Sequence, residues 1–337
     1  MPNDPLLDVR NLKVSFPTED GVVKAVDGVS FQVLHGETLG VVGESGSGKS
    51  VTFLTVMGLI GRKDAIIEGE AIFNGKDLLH MPKEEIQHIR GDKIAMIFQD
   101  PLTALNPVIK VGAQIVEVIR AHREIDKDKA WLEAADLLDR VGIPRPKERV
   151  KQYPHEFSGG MRQRVMIAMA LALNPAILIA DEPTTALDVT VQAQILELID
   201  RLKAEFDTAV ILITHDLGVV AEYADVIQVM YAGRIMESGR LDDIFYDSQH
   251  PYTWGLLQSI SRLDEKVDRL RPIKGSPPSL IFVPPGCPFH PRCPYVFDRC
   301  SKEIPPLTEE ALGHKNACFL PLDEKRRIFS TQVAVTS

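Results

Sequence analysis

Basic residues are in the minority in this chain: Lys and Arg number 38 against 47 Asp and Glu, a formal net charge of −9. A surface of that sign repels nucleic acid and anionic lipid as a whole, so no nucleic-acid partner is expected. Long hydrophobic runs are missing as well. The longest stretch without a charged residue or a histidine, 165–180, falls short of the roughly 18 apolar residues that cross a bilayer, and Asn174-Pro175 interrupts it. It reads as a buried helix followed by a buried strand, so any membrane role must pass through a partner. The start, Met1-Pro2-Asn3-Asp4-Pro5, has neither the basic beginning nor the apolar core of a secretory signal, and the chain is expected to stay in the cytosol. Cysteine is confined to four positions, none before residue 287.

What is present is ordinary globular material: 337 residues, 45% hydrophobic and 25% charged, enough for one large domain or two. The stretch that organises it is Gly43-Glu44-Ser45-Gly46-Ser47-Gly48-Lys49-Ser50, a complete G-x-x-x-x-G-K-[ST] pattern. A buried strand is expected ahead of it at 38–42, and a helix behind it from Ser50. That strand, loop, helix context marks a phosphate loop. Its glycines let successive N–H groups of the loop, Ser45, Gly46, Ser47 and Gly48 among them, turn toward phosphate oxygens at a helix N-terminus. Lys49 is then the residue for the β- and γ-phosphates, and the Ser50 hydroxyl a Mg²⁺ ligand.

Around the loop, alternation predicts antiparallel strands at 6–16 and 29–34, joined across Thr18-Glu19-Asp20-Gly21. Phe16, just before that turn, is either a base-stacking aromatic or a core phenylalanine. Strands at 66–73 and 93–98 follow, the second running into Gln99, a polar residue placed where an α/β sheet puts its ligand groups. From 102 to about 173 the pattern becomes helical, with helices predicted over 111–122 and 131–141, the latter from the spacing of Leu132, Ala135, Leu138 and Val141. This is a helical insertion in a nucleotide fold. Near its end, Ser158-Gly159-Gly160 suits a helix cap or a backbone approach to an anion. Strand 176–180 stops on Asp181-Glu182, carboxylates suited to holding Mg²⁺ and to orienting or deprotonating an attacking water. Strand 209–214 stops on His215, which can hydrogen-bond a γ-phosphate. Strands at 226–231 and 234–237 complete a first domain, 1–250.

The second region, 251–337, holds Cys287, Cys293, Cys300 and Cys318 among many prolines. In a cytosolic chain, clustered cysteines argue for metal before disulfide. Four thiolates suit either Zn²⁺ or an iron–sulfur cluster, and the spacings are wider than those of short zinc knuckles.

Taken in order, Phe16, Gly43 to Ser50, Gln99, Ser158-Gly159-Gly160-Met161, Asp181-Glu182, Ala186-Leu187-Asp188 and His215 resemble the ATP-binding-cassette ATPases. Met161 stands where that family's signature usually has Gln. The run Phe98 to Pro107, Tyr153 to Arg164, and His250-Pro251-Tyr252-Thr253 is similar to the ATPase subunits of bacterial oligopeptide and dipeptide importers, over nearly the whole chain. The resemblance implies an α/β P-loop NTPase cassette with an antiparallel β subdomain, a helical subdomain and a small cysteine-containing tail. It also implies ATP and Mg²⁺ as ligands, with Mg²⁺ on Ser50, Gln99 and Asp181 and catalysis by Glu182, Gln99 and His215. Ser158, Gly159 and Gly160 would cap the nucleotide held by a partner cassette. The expected assembly is a heterodimer with a second such ATPase beneath two permeases, served by an extracytoplasmic peptide-binding protein. Its place is the cytoplasmic face of the bacterial inner membrane, peripherally bound. For the four cysteines the resemblance favours a [4Fe–4S] cluster, with Zn²⁺ as the alternative. Other cargo (dipeptide, glutathione, nickel complex, oligosaccharide) or a soluble cassette ATPase are the competing functions.

Overall fold

Alternation of apolar and polar residues dictates the first strands. In β1 (Leu7–Thr18) Leu7, Val9, Leu12 and Val14 are buried, whereas Arg10 and Asn11 face solvent, the period of a sheet with one wet face. The computed structural model describes residues 4–184, 188–259 and 273–333. The remaining strands are β2 (Gly21–Val33), β3 (Thr38–Val42), β4 (Ile66–Phe73), β5 (Lys76–Asp77), β6 (Ile94–Ile97), β7 (Ile177–Asp181), β8 (Ala209–Thr214), β9 (Val226–Tyr231), β10 (Arg234–Arg240), β11 (Thr308–Ala311) and β12 (His314–Asn316). The described residues form two compact units, one of those within 34–37 and 81–212 and one of those within 4–33, 38–80 and 213–333; the chain passes from the first to the second inside β8.

In the first unit β6 and β7 run parallel, with Ile94 opposite Ile177 and Ile97 opposite Ala180. Four helices longer than ten residues accompany them: Val111–His122, Lys127–Arg140, Gly159–Leu171 and Val189–Phe206. Side-chain caps set three of their starts. Asp126 accepts from the Asp128 and Lys129 amides, Ser158 from Met161, and Asp188 from Val191, each satisfying donors that a helix start leaves orphaned. The Asp126 cap corrects the expectation of a helix over 131–141, since the helix already begins at Lys127. Leu132 is not on its inner face; it is 67% exposed, and the buried stripe is Ala130, Ala134, Ala135, Leu137 and Leu138. Of the trio 186–188, Ala186 and Leu187 lie outside the described residues.

The second unit holds the sheet β2-β1-β4-β5. Its β2 starts at Gly21, eight residues before the predicted Val29, and is paired with β1 from Leu7↔Val33 to Thr18↔Gly21. Here too β3 lies parallel to β9, β10 folds back on β9 across Ala232-Gly233, and β12 adds to β10 with Glu237 opposite Asn316. The cysteine-bearing region thus contributes a strand to the edge of β10. It also contributes core: Tyr231, Tyr252 and Phe289 form a three-ring cluster with centroid separations of 4.6, 5.3 and 5.4 Å, within the range where aromatic pairs attract beyond their area. Trp254 packs with Leu320, Ile328, Phe329 and Val333.

A buried polar relay pins the same region. Lys325, fully buried, donates to Asn316 Oδ1 (2.8 Å) and Glu310 Oε1 (2.9 Å). Asn316 Nδ2 donates to Gln249 Oε1 (2.8 Å), Gln249 Nε2 faces His314 Nδ1 (3.1 Å), and His314 Nε2 faces Glu237 Oε1 (2.9 Å). An ammonium only donates and a carboxylate only accepts. The two ends therefore orient every amide between them and place the imidazole proton on Nε2, toward Glu237. Such a relay is stabilising only when complete, because an unpartnered polar group in a dry interior costs more than the hydrogen bond gained. Asn316→Leu should lower unfolding stability by about 2 to 4 kcal/mol, because it strands the Gln249 carbonyl and takes one of two acceptors from the buried Lys325 ammonium. Urea unfolding of Asn316→Leu, Lys325→Met and the double variant should give strongly sub-additive losses; additive losses would show that the relay is not a unit.

Candidate functional site

The second unit contains the predicted phosphate loop. All five residues of β3 are buried, and the helix Lys49–Val56 begins directly after Gly48. Two glycines are obligatory on geometric grounds. At Gly43 (φ 154°) an added Cβ would lie 2.1 Å from the Met230 carbonyl oxygen, and at Gly48 (φ 97°) 2.3 Å from that of Ala25, distances no side chain tolerates. Backbone packed behind the loop thus forces its curl. Ser45 and Gly46 at the crest are exposed, Ser47 and Lys49 are buried, and Ser50 is half-buried. The Lys49 ammonium donates back to the carbonyls of Gly43 (2.7 Å) and Glu44 (3.0 Å), so its charge is held over the concave side of the turn. Phe16, half-buried, sits in β1 opposite Val23. His215, exposed, directly follows β8.

In the first unit the predicted carboxylates stand at the end of β7. Asp181 is its last residue and only 6% exposed. Glu182 has φ 46°, a left-handed backbone that costs a non-glycine residue free energy and collects at functional positions. Its Oε2 accepts from Gln99 Nε2 at 2.9 Å, so the structure brings together two of the three residues given a catalytic role. Gln99 itself lies two residues beyond the end of β6 and is exposed. Ser158 and Gly159 are exposed at the start of helix Gly159–Leu171; Gly160 lies against Val191, where an added Cβ would come within 2.8 Å of a methyl group.

Sequence reasoning missed what holds Glu44. This second residue of the loop is bound by groups from the tail: its amide donates to the Tyr252 hydroxyl (2.9 Å), and its carboxylate is gripped at both oxygens by Arg292 (2.6 and 3.0 Å). Nothing local announces this, since the partners are 208 and 248 residues away.

The four cysteines line one apolar cavity of about 20 Å³, with His250, Phe289, Tyr295 and Leu320 among its walls. Burial pushes the thiol of Cys287 up to about 11 and those of Cys293 and Cys318 up to about 12, so as bare thiols they are protonated and weakly nucleophilic at neutral pH. The donor chemistry suits a soft metal or a cluster. The convergence does not: among the described residues no group of three or more His, Cys, Asp or Glu is placed to hold a metal ion. Nor is any described helix long and apolar enough to cross a membrane.

Comparison with known proteins gives these observations their context. Residues 26–185 match the family described as ABC transporter, and residues 236–300 the oligopeptide/dipeptide transporter C-terminal region. The oligopeptide transport ATP-binding protein OppD of Escherichia coli (strain K12) is 53% identical over 95% of this chain and 95% of its own. The dipeptide transport ATP-binding protein DppD of Bacillus subtilis (strain 168) is 54% identical over 94% of each. Among solved structures, the dimeric ATP-binding cassette MJ0796 in a post-hydrolysis state with ADP and Pi superposes with a TM-score of 0.63 at 26% identity, covering 70% of this chain and 98% of that one. The shared fold is that of the ABC cassette ATPases. With near-complete coverage at more than half identity, the chain belongs to the ABC transporter family, among its oligopeptide and dipeptide transport ATP-binding proteins.

Proposed function

We propose that this chain is the ATP-hydrolysing subunit that energises import of oligopeptides across the cytoplasmic membrane, attached peripherally on the cytoplasmic side. The observation that carries this reading is the joint one: a phosphate loop whose curl is enforced by its surroundings, in a chain alike over 95% of its length to an oligopeptide transport ATP-binding protein. ATP binding closes a pair of cassettes, hydrolysis and release open it, and the motion drives two permeases; the partner cassette is a second, homologous chain, and an extracytoplasmic binding protein delivers the peptide.

Within the nucleotide site, Lys49 contacts the β- and γ-phosphates, the loop amides from Ser45 to Ser50 cradle them, and Phe16 stacks on the base. Ser50, Gln99 and Asp181 supply hard oxygen donors of the kind Mg²⁺ prefers. When bound, Mg²⁺ neutralises charge that develops on the phosphate oxygens. Glu182 orients and deprotonates the attacking water; its strained backbone and its hydrogen bond from Gln99 support that role, because a base fixed in position needs no reorganisation at the moment of reaction. His215 hydrogen-bonds the γ-phosphate and registers its loss. Ser158, Gly159 and Gly160 contact the nucleotide held by the partner cassette. In the tail, the four thiols around one cavity support a [4Fe–4S] cluster, with Zn²⁺ as the alternative, on donor chemistry alone.

Glu182→Gln should bind ATP with near-normal affinity and hydrolyse it about 10² to 10⁴ times more slowly, the usual worth of a positioned general base; single-turnover rates near those of the native chain would assign the base elsewhere. Purification of the tagged chain from its own cells in mild detergent should recover two permeases and a second cassette ATPase, and recovery of ribosomes or of no membrane protein would refute the transporter reading. Protein prepared without oxygen should carry iron and acid-labile sulfide and a brown absorbance that Cys293→Ser abolishes; a colourless protein with four titratable thiols would end the cluster proposal.

A further inference from the structure

The chain gives its phosphate loop a negative side chain of its own. Glu44 follows the first loop glycine, in a segment whose ligand, on the reading above, carries several negative charges. An unpaired carboxylate there would repel the ligand. Arg292, from the cysteine-bearing tail, meets it with a planar fork: Nη1 donates to Glu44 Oε2 at 2.6 Å and Nη2 to Oε1 at 3.0 Å, the bidentate geometry that is strongest for this pair. The Arg292 side chain is only 5% exposed, so the pair is little screened by solvent.

The fork is itself held. Its Nη1 also donates to the Tyr231 hydroxyl (3.2 Å), Nε to the Lys274 carbonyl (3.0 Å) and Nη2 to the Gly275 carbonyl (3.2 Å). The guanidinium lies 5.7 Å from the Tyr231 ring centre and 5.9 Å from that of Phe289. The backbone of the same loop residue is fixed from the tail too, because the Glu44 amide donates to Tyr252 while its carbonyl accepts from Lys49. Every polar group of Glu44 is thereby engaged, and Lys49 is tied to the same residue.

We infer that Arg292 is a positioning residue for nucleotide binding: it neutralises Glu44 and draws the carboxylate to the tail side of the loop, so that the loop and Lys49 meet the polyphosphate without an opposing charge. The inference rests on the assignment of residues 43–50 as the ATP phosphate loop.

The test is ATP affinity of the full-length chain, measured by titration calorimetry, with circular dichroism as the control for folding. Arg292→Met should weaken ATP binding about tenfold or more, since it leaves a partly buried carboxylate uncompensated, and Arg292→Lys, which keeps charge without the fork, should fall between. Glu44→Gln in the Arg292→Met background should restore most of the affinity; a role confined to packing would not respond to removal of that charge. If Arg292→Met fails to fold, Glu44→Gln alone decides the matter: affinity equal to or tighter than native supports the charge account, and a tenfold loss overturns it. Lys49→Ala separates the two levels. Loss of binding there with an unchanged, folded Arg292→Met overturns this inference alone, whereas unchanged binding in Lys49→Ala overturns the phosphate-loop assignment and the inference with it.

Discussion

A loop that offers its amides to an anion cannot use those amides to hold its own shape. The curl at 43–50 must be imposed from behind, and it is: by backbone carbonyls that forbid a Cβ at Gly43 and Gly48, and by the tail groups on Glu44. Much of the surrounding architecture of this unit can be understood as backing for that turn. The hairpin of β9 and β10 supplies the Met230 carbonyl and, through Gly233, a hydrogen bond to the Ser47 carbonyl; the long β2 supplies the Ala25 carbonyl. Preorganisation of this kind is what lets a backbone site bind charge without first rearranging.

The same division of labour extends to the relay from Lys325 to Glu237. A lysine and a glutamate buried at 0% exposure are tolerated because Lys325 is paired with Glu310, Glu237 also accepts from Ser248, and three intervening side chains carry donor to acceptor without a break. The relay spans β10, the segment before helix Pro251–Gln258, β12 and helix Leu322–Ile328. It therefore fixes the region that carries Tyr252 and Arg292, at the cost in tolerance that every fully satisfied polar network bears.

Much of this was legible in the chain, and the legible part is the local part. The phosphate loop, the carboxylates ending β7 and the helix 111–122 follow from patterns within about ten residues, where spacing and backbone geometry are coupled directly. The start of helix 127–140 was missed because its cap, Asp126, precedes a first turn of charged residues with no apolar period, and Leu132 was placed on the wrong face for the same reason. The first half of β2 was hidden because Lys24, Asp27 and Gly28 break its alternation. The Glu44 clamp was invisible on different grounds: an Arg in a proline-rich tail and a Glu in a loop, 248 positions apart, have no sequence feature in common until the fold pairs them.

The strand β12 gives the tail a colloidal role as well. A version of this protein shortened to the first domain expected from the sequence, residues 1–250, would lose β12 with the rest of the tail. Such a chain would leave the outer edge of β10 without its partner, a row of unpaired amides and carbonyls of the kind that recruits strands from neighbouring molecules. Its first failure would then be one of solubility, with aggregation setting in before any turnover could be assayed.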